Sequence, residues 1–159
     1  MYRIFLILVF LFTLNVQAQS TLPAVKIRDF SGKDVLFDST IAKGDTVTVV
    51  SFWATWCTPC ITELDAINDQ LPGWKKNAQF KFIALSVDDN RTIAMVRPLV
   101  KGKGWDFAFY TDANSQLKRA LNVNDIPHTL IIKHGRIVYQ HTGYISGDED
   151  ELFARLKSL

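Results

Sequence analysis

"VVSFWATWCTPCITEL", Val49 to Leu64, contains both cysteines of the chain, Cys57 and Cys60, with only Thr58 and Pro59 between them. Upstream of the pair, "DTVTVVSFW" from Asp45 to Trp53 is β-branched and apolar on both alternating faces, the pattern of a central strand covered on both sides. Downstream the period changes. At about 100° per residue, Cys60, Ile61, Leu64, Ile67, Asn68 and Leu71 share one arc, which predicts a helix from Thr58 that "LPGW" ends. A strand running into CxxC at a helix N-terminus puts Cys57 where backbone N–H groups and the helix dipole converge on an anion. Such settings lower a cysteine pKa from about 8.5 to roughly 3.5–7.5, which marks Cys57 as the nucleophile. Cys60, one turn further in and on the buried arc, can then attack a mixed disulfide made by its neighbour. Pro59 stands in the first turn, where its missing N–H costs little.

Outward from this stretch, "VKIRDF" and "DVLF" flank "SGK" and read as a hairpin. "FKFIALSV", Phe80 to Val87, is a second buried strand, and "RTIAMVRPLV" a helix broken or kinked near Pro98. "WDFAFY" is a short strand and "ANSQLKRAL" a short helix, while Thr129 to His141 gives two strands around a turn containing Gly135. "GDEDELFARLKSL" closes the chain as an amphipathic helix with an acidic start that suits the positive end of its dipole. Asp88, Asp89 and the "KGKG" turn read as solvated loop. Strands alternating with helices, then a hairpin and a helix, predict an α/β domain: a mixed sheet with helices on both faces.

The 159 residues, 48% of them hydrophobic and 12% aromatic, suffice for one core. The formal charge of +2, without blocks of like charge, gives no reason to expect nucleic acid as a partner. Residues 1–18 stand apart as a secretory signal peptide, or else an uncleaved N-terminal anchor, and residues 19–159 form the domain. Arg3 supplies a basic start, Ile4 to Leu14 an apolar run too short for the roughly 20 residues of a membrane span, and "VQA" the small residues of a cleavage site. Export places the cysteines where disulfides persist, but a bridge over two intervening residues removes little unfolded-state entropy. Three other readings compete with a redox pair. Zinc needs four ligands, and His128, His134 and His141 lack ligand spacing while no second CxxC exists. Two thiolates suit Cu(I), which leaves a copper chaperone as an alternative. An inert bridge is the third.

"FWATWCTPC" after a buried strand, "IPHTLII" about seventy residues later and "TGY" after the next hairpin resemble the thioredoxin superfamily over Leu22 to Leu159. The exported TlpA/ResA-type thiol-disulfide oxidoreductases are nearest, because Phe80 to Leu121 resembles the strand-helix insertion plus following elements that this group carries. The resemblance implies a thioredoxin-like fold with this insertion. It makes Pro127 the cis-proline against the active disulfide, and Ile126 the residue whose backbone pairs with substrate. Glu63 matches a glutamate thought to tune and deprotonate the second cysteine; without the resemblance it is an early-turn glutamate favourable to the dipole. Ser51 departs from cytosolic thioredoxins, which carry a buried aspartate there. Trp56 either covers the disulfide and contacts substrates or is merely exposed, and Gly143 either borders the substrate groove or serves turn geometry. His128 lies either near the sulfurs or in solvent.

The expected chemistry is reduction of disulfides in exported proteins, with cytochrome c maturation as one setting. Cys57 attacks, Cys60 resolves with help from Glu63, and no metal or organic cofactor takes part. A membrane thiol donor would recharge the protein, which is expected to act as a monomer in the periplasm or another extracytoplasmic space. The enzymatic alternative is an oxidase or isomerase of exported proteins.

Overall fold

The computed structural model describes residues 22–159; the signal-peptide reading falls on residues outside that range. Seven strands form one sheet in the order β2-β1-β5-β4-β3-β6-β7. The hairpin is β1 (Lys26–Asp29) and β2 (Asp34–Leu36), and a single π-helical turn, Phe37–Ile41, leads from it into the core. The strand β3 (Val47–Trp53) is buried at every residue, as its two apolar faces predict. It pairs in parallel with β4 (Phe80–Ser86) and antiparallel with β6 (His128–Lys133). Beyond β4 lies β5 (Ala108–Thr111), parallel to β4 and antiparallel to β1; beyond β6 lies β7 (Arg136–Thr142). The His134–Gly135 turn of that last hairpin has positive φ at both residues, 50° and 70°, the geometry that matches strand twist.

Among the described residues four α-helices cover the sheet: α1 (Thr58–Asn77), α2 (Val96–Lys103), α3 (Gln116–Ala120) and α4 (Asp148–Lys157). The segment from β4 through α2, β5 and α3 is the stretch expected to hold the strand-helix insertion and the elements that follow it. A 3-10 turn, Ile93–Met95, precedes α2 and takes up the break expected near Pro98. Pro98 itself falls in the first turn of α2, where no N–H is needed. Gly102 and Lys103 belong to α2 rather than to a loop, and Gly104 caps it in the left-handed region at φ 66°. Among the described residues no helix is long and apolar enough to cross a membrane.

Against expectation, α1 does not end at "LPGW" but runs through Pro72 to Asn77. A proline inside a helix costs about 3 kcal/mol. Trp74, one turn from the end, is 2% exposed and stacks on Phe153 of α4 with centroids 5.1 Å apart and planes 4° apart. Losing such a buried aromatic costs about 3–5 kcal/mol, enough for tertiary packing to outweigh the local penalty. With Leu64, Ile67 and Leu71 all buried, this face anchors α1 to the sheet and so fixes the end that carries the cysteines.

Candidate active site

The strand β3 ends at Trp53, and Cys57 N donates to Ala54 O at 3.1 Å, closing the turn that starts α1. Cys57 is the N-cap of that helix: its sulfur accepts from Cys60 N at 3.3 Å, and Cys60 follows one turn in. The two cysteines form a disulfide with Cα atoms 5.3 Å apart. Cys57 is 5% exposed and Cys60 is not exposed at all, so any attack from solvent reaches Cys57 first. On reduction, the N-terminal dipole of a twenty-residue helix favours the thiolate at the cap.

The remaining site residues are brought in by the sheet. The register of β3 with β6 sets Phe52 opposite His128, so Pro127 lies beside the strand end that leads to Cys57. The Ile126–Pro127 bond is cis, Pro127 O accepts from Gly143 N at 2.8 Å, and Gly143 sits at φ 87°. Ile126 precedes the first paired residue of β6 and is half-buried. Trp56 is 63% exposed. It stands between two grooves, one of about 300 Å³ reaching Ile126 and one of about 420 Å³ reaching Met95, Pro98 and Leu99 of the insertion. Cys57, Cys60, Trp56, Ile126, Pro127 and Gly143 therefore gather at one end of the sheet. Met95, 60% exposed, joins them; nothing in the local pattern of an isolated methionine marks it.

Glu63 lies beneath this end, 4% exposed, on the buried face of α1. Ser51 Oγ donates to its Oε2 at 2.9 Å and Thr129 Oγ1 to its Oε1 at 2.9 Å. Desolvation pushes its pKa up to about 7, and the two hydroxyl donors hold back part of that rise. Ser51, the departure from the thioredoxin pattern, thus contacts a carboxylate contributed by a different element. His128 is 9% exposed, its Nδ1 lies 2.7 Å from Thr142 Oγ1, and burial pushes its pKa down; the solvated reading of this residue does not hold.

Asp88 corrects the sequence reading more sharply. Read as solvated loop, it is fully buried and accepts from Thr55 N at 2.9 Å, Thr55 Oγ1 at 2.5 Å and Ser86 Oγ at 2.8 Å. It ties the end of β4 to the residue two before Cys57.

The sequence matches the Redoxin family over residues 17–156. The thiol-disulfide oxidoreductase ResA of Geobacillus kaustophilus is 28% identical over 133 residues, 83% of this chain and 73% of that protein. ResA of Bacillus subtilis is 26% identical, covering 81% and 69% respectively. Among solved structures, a thioredoxin-like protein from Porphyromonas gingivalis matches with a TM-score of 0.76 and 37% identity over 87% of this chain and 90% of that one. StoA from Bacillus subtilis shares the fold, with a TM-score of 0.65 at 20% identity over 83% of this chain and 99% of that one.

Proposed function

Since the chain belongs to the Redoxin family and has the cysteine pair of a thiol-disulfide oxidoreductase, we propose that it reduces disulfides in exported proteins. In the reduced protein the Cys57 thiolate attacks a substrate disulfide, forming a mixed disulfide and releasing one substrate thiolate. Cys60, losing its proton to Glu63, attacks Cys57; the second substrate thiolate leaves and the Cys57–Cys60 disulfide forms. Trp56, Ile126, Pro127 and Gly143 border the groove in which the substrate strand lies, its cysteine over Cys57.

The observation that carries the direction is the content of the cap itself: Thr58 and Pro59 stand between the cysteines, and Cys57 Sγ receives one backbone N–H, from Cys60. A strong oxidant needs its reduced form heavily stabilised, as a histidine between the cysteines would do. We read residues 1–18 as the export signal or an anchor. On this reading the partners are disulfide-bearing exported proteins, apocytochrome c among them, and a membrane thiol donor that returns the pair to the dithiol; the protein works as a monomer without metal or cofactor. Redox equilibration against glutathione or dithiothreitol tests the direction. A potential below about −200 mV is expected, and one near −120 mV, typical of a strong oxidant, would reassign the protein as an oxidase of exported proteins.

A further inference from the structure

Glu63 can accept the Cys60 proton only if it can pass that proton on. While a substrate is joined to Cys57 and covers Trp56, the mouth of the site is the poorer route to solvent. Behind Glu63 lies a second opening. A cavity of about 10 Å³ is walled by Glu63 of α1, Thr129 of β6, Tyr139 and His141 of β7, and Asp148 and Glu149 of α4. That is the space one water needs, and its walls offer more than the two to four polar partners a buried water uses.

The far wall reaches the surface. His141 Nε2 lies 3.2 Å from Asp148 Oδ2, and the two side chains are 36% and 23% exposed. Asp148 is held in place by accepting from Ile145 N at 2.8 Å. One oxygen of Glu149, Oε2, is already occupied, accepting from Tyr144 Oη at 2.8 Å and Gly147 N at 3.0 Å. The titratable groups around the cavity are thus Glu63, Tyr139, His141, Asp148 and Glu149, with Tyr144 behind Glu149 and His128 on the neighbouring strand. Of these, His141 both lines the cavity and reaches the surface, and an imidazole offers one nitrogen that accepts and one that donates.

We propose that His141, oriented by Asp148, is the proton port of Glu63, exchanging its proton with solvent through one water in this cavity. The steps balance without any redox partner. The Cys60 thiol gives its proton to the Glu63 carboxylate; the carboxylic acid protonates His141 through the water; the imidazolium releases the proton to bulk. Consistent with this coupling, positive charge on His141 favours ionised Glu63, and Asp148 opposes it. In this scheme His141 touches no reacting sulfur and is a positioning and relay residue.

The port rests on the role proposed for Glu63, and the two can be separated. Resolution of a mixed disulfide on Cys57 is timed by stopped flow in the wild type, Glu63→Gln, His141→Gln and the double variant. Glu63→Gln is expected to slow it by roughly 10²-fold, the low end for a positioned proton acceptor. His141→Gln is expected to slow it by about tenfold, since water still enters the cavity, and added imidazole to restore part of the rate. In the Glu63→Gln background the His141 change is expected to be silent. Alkylation of Cys57 and the near-ultraviolet spectrum report whether the fold is intact. Should His141→Gln lose that spectrum, Asp148→Asn, which keeps the imidazole, carries the test and is expected to slow resolution by a smaller factor. Wild-type rates in His141→Gln beside a slow Glu63→Gln would overturn the port alone, as would equal slowing with and without Glu63; a wild-type rate in Glu63→Gln would remove both.

Discussion

Two buried carboxylates flank the cysteine motif, and their surroundings differ in kind. Asp88 holds the residue two before Cys57 and accepts one backbone N–H and two hydroxyls, all from the ends of β3 and β4. Glu63 stands three residues after Cys60 and accepts two hydroxyls, with its remaining side on a cavity. Burial penalises both as anions. Desolvation carries the Glu63 pKa to about 7, where a carboxyl can both take and return a proton. The contrast separates a carboxylate closed in by donors of the loop from one with a side left open on a cavity.

Deleting Asp88 is the strongest way to break this contrast. Asp88→Ala leaves the N–H and hydroxyl of half-buried Thr55 and the hydroxyl of buried Ser86 without their acceptor, and an unpaired buried donor costs about 1–3 kcal/mol. A loss of about 4 kcal/mol is expected in urea unfolding of the oxidised protein at neutral pH. A loss below about 1 kcal/mol would mean that Asp88 is not the clasp described here.

What the sequence made legible follows the range of the physics. The strand β3 and the helix α1 were readable because a continuous β-branched apolar run and an apolar period of 3.6 are written into consecutive residues, while Glu63 was singled out by the resemblance. Asp88 could not be found that way. Its partner Thr55 is 33 residues distant, and the two meet because parallel pairing sets Trp53 opposite Ser86, bringing the segments that leave β3 and β4 side by side. The continuation of α1 past Pro72 was hidden for the same reason, since it depends on a stack between Trp74 and Phe153 nearly eighty residues apart. The gathering of Pro127 and Gly143 at the cysteines followed from resemblance, and its geometry from the registers of β6 with β3 and β7.

A smaller effect of opposite sign is expected at Glu63. Its pKa lies above that of an ordinary carboxyl, so its contribution to stability is fully present below about 4.5 and is lost as pH rises through about 7. Glu63→Gln keeps the shape and can still hydrogen-bond both hydroxyls without ever carrying charge. The variant should match the wild type near pH 4.5 and exceed it by about 3 kcal/mol at pH 8. Denaturant midpoints at the two pH values measure this, and a variant no more stable than the wild type at pH 8 would show that the buried carboxylate is not strained toward neutrality. The kinetic slowing proposed above and this gain in stability would then have one source, a charge kept in a place that disfavours it.

The finest discrimination comes from removing one donor at each carboxylate. Thr129→Val deletes the hydroxyl on Glu63 Oε1, one of the two bonds that favour the ionised form, so the pKa should climb further above about 7. One such bond is worth about 1 kcal/mol, less than one pH unit. If Glu63 takes the Cys60 proton as proposed, the rate of mixed-disulfide resolution rises with pH as Glu63 ionises, and its midpoint should be displaced upward by a fraction of a unit in stopped-flow profiles from about pH 5 to about pH 9. Ser86→Ala removes a donor from Asp88 in the same way, costing about 1 kcal/mol of stability, yet it should leave that profile where it was, because the proposed proton transfer runs through Glu63. A profile that moved equally in both variants would mean that the two carboxylates act on Cys60 through the same electrostatic field, and the division between clasp and base would have to be abandoned.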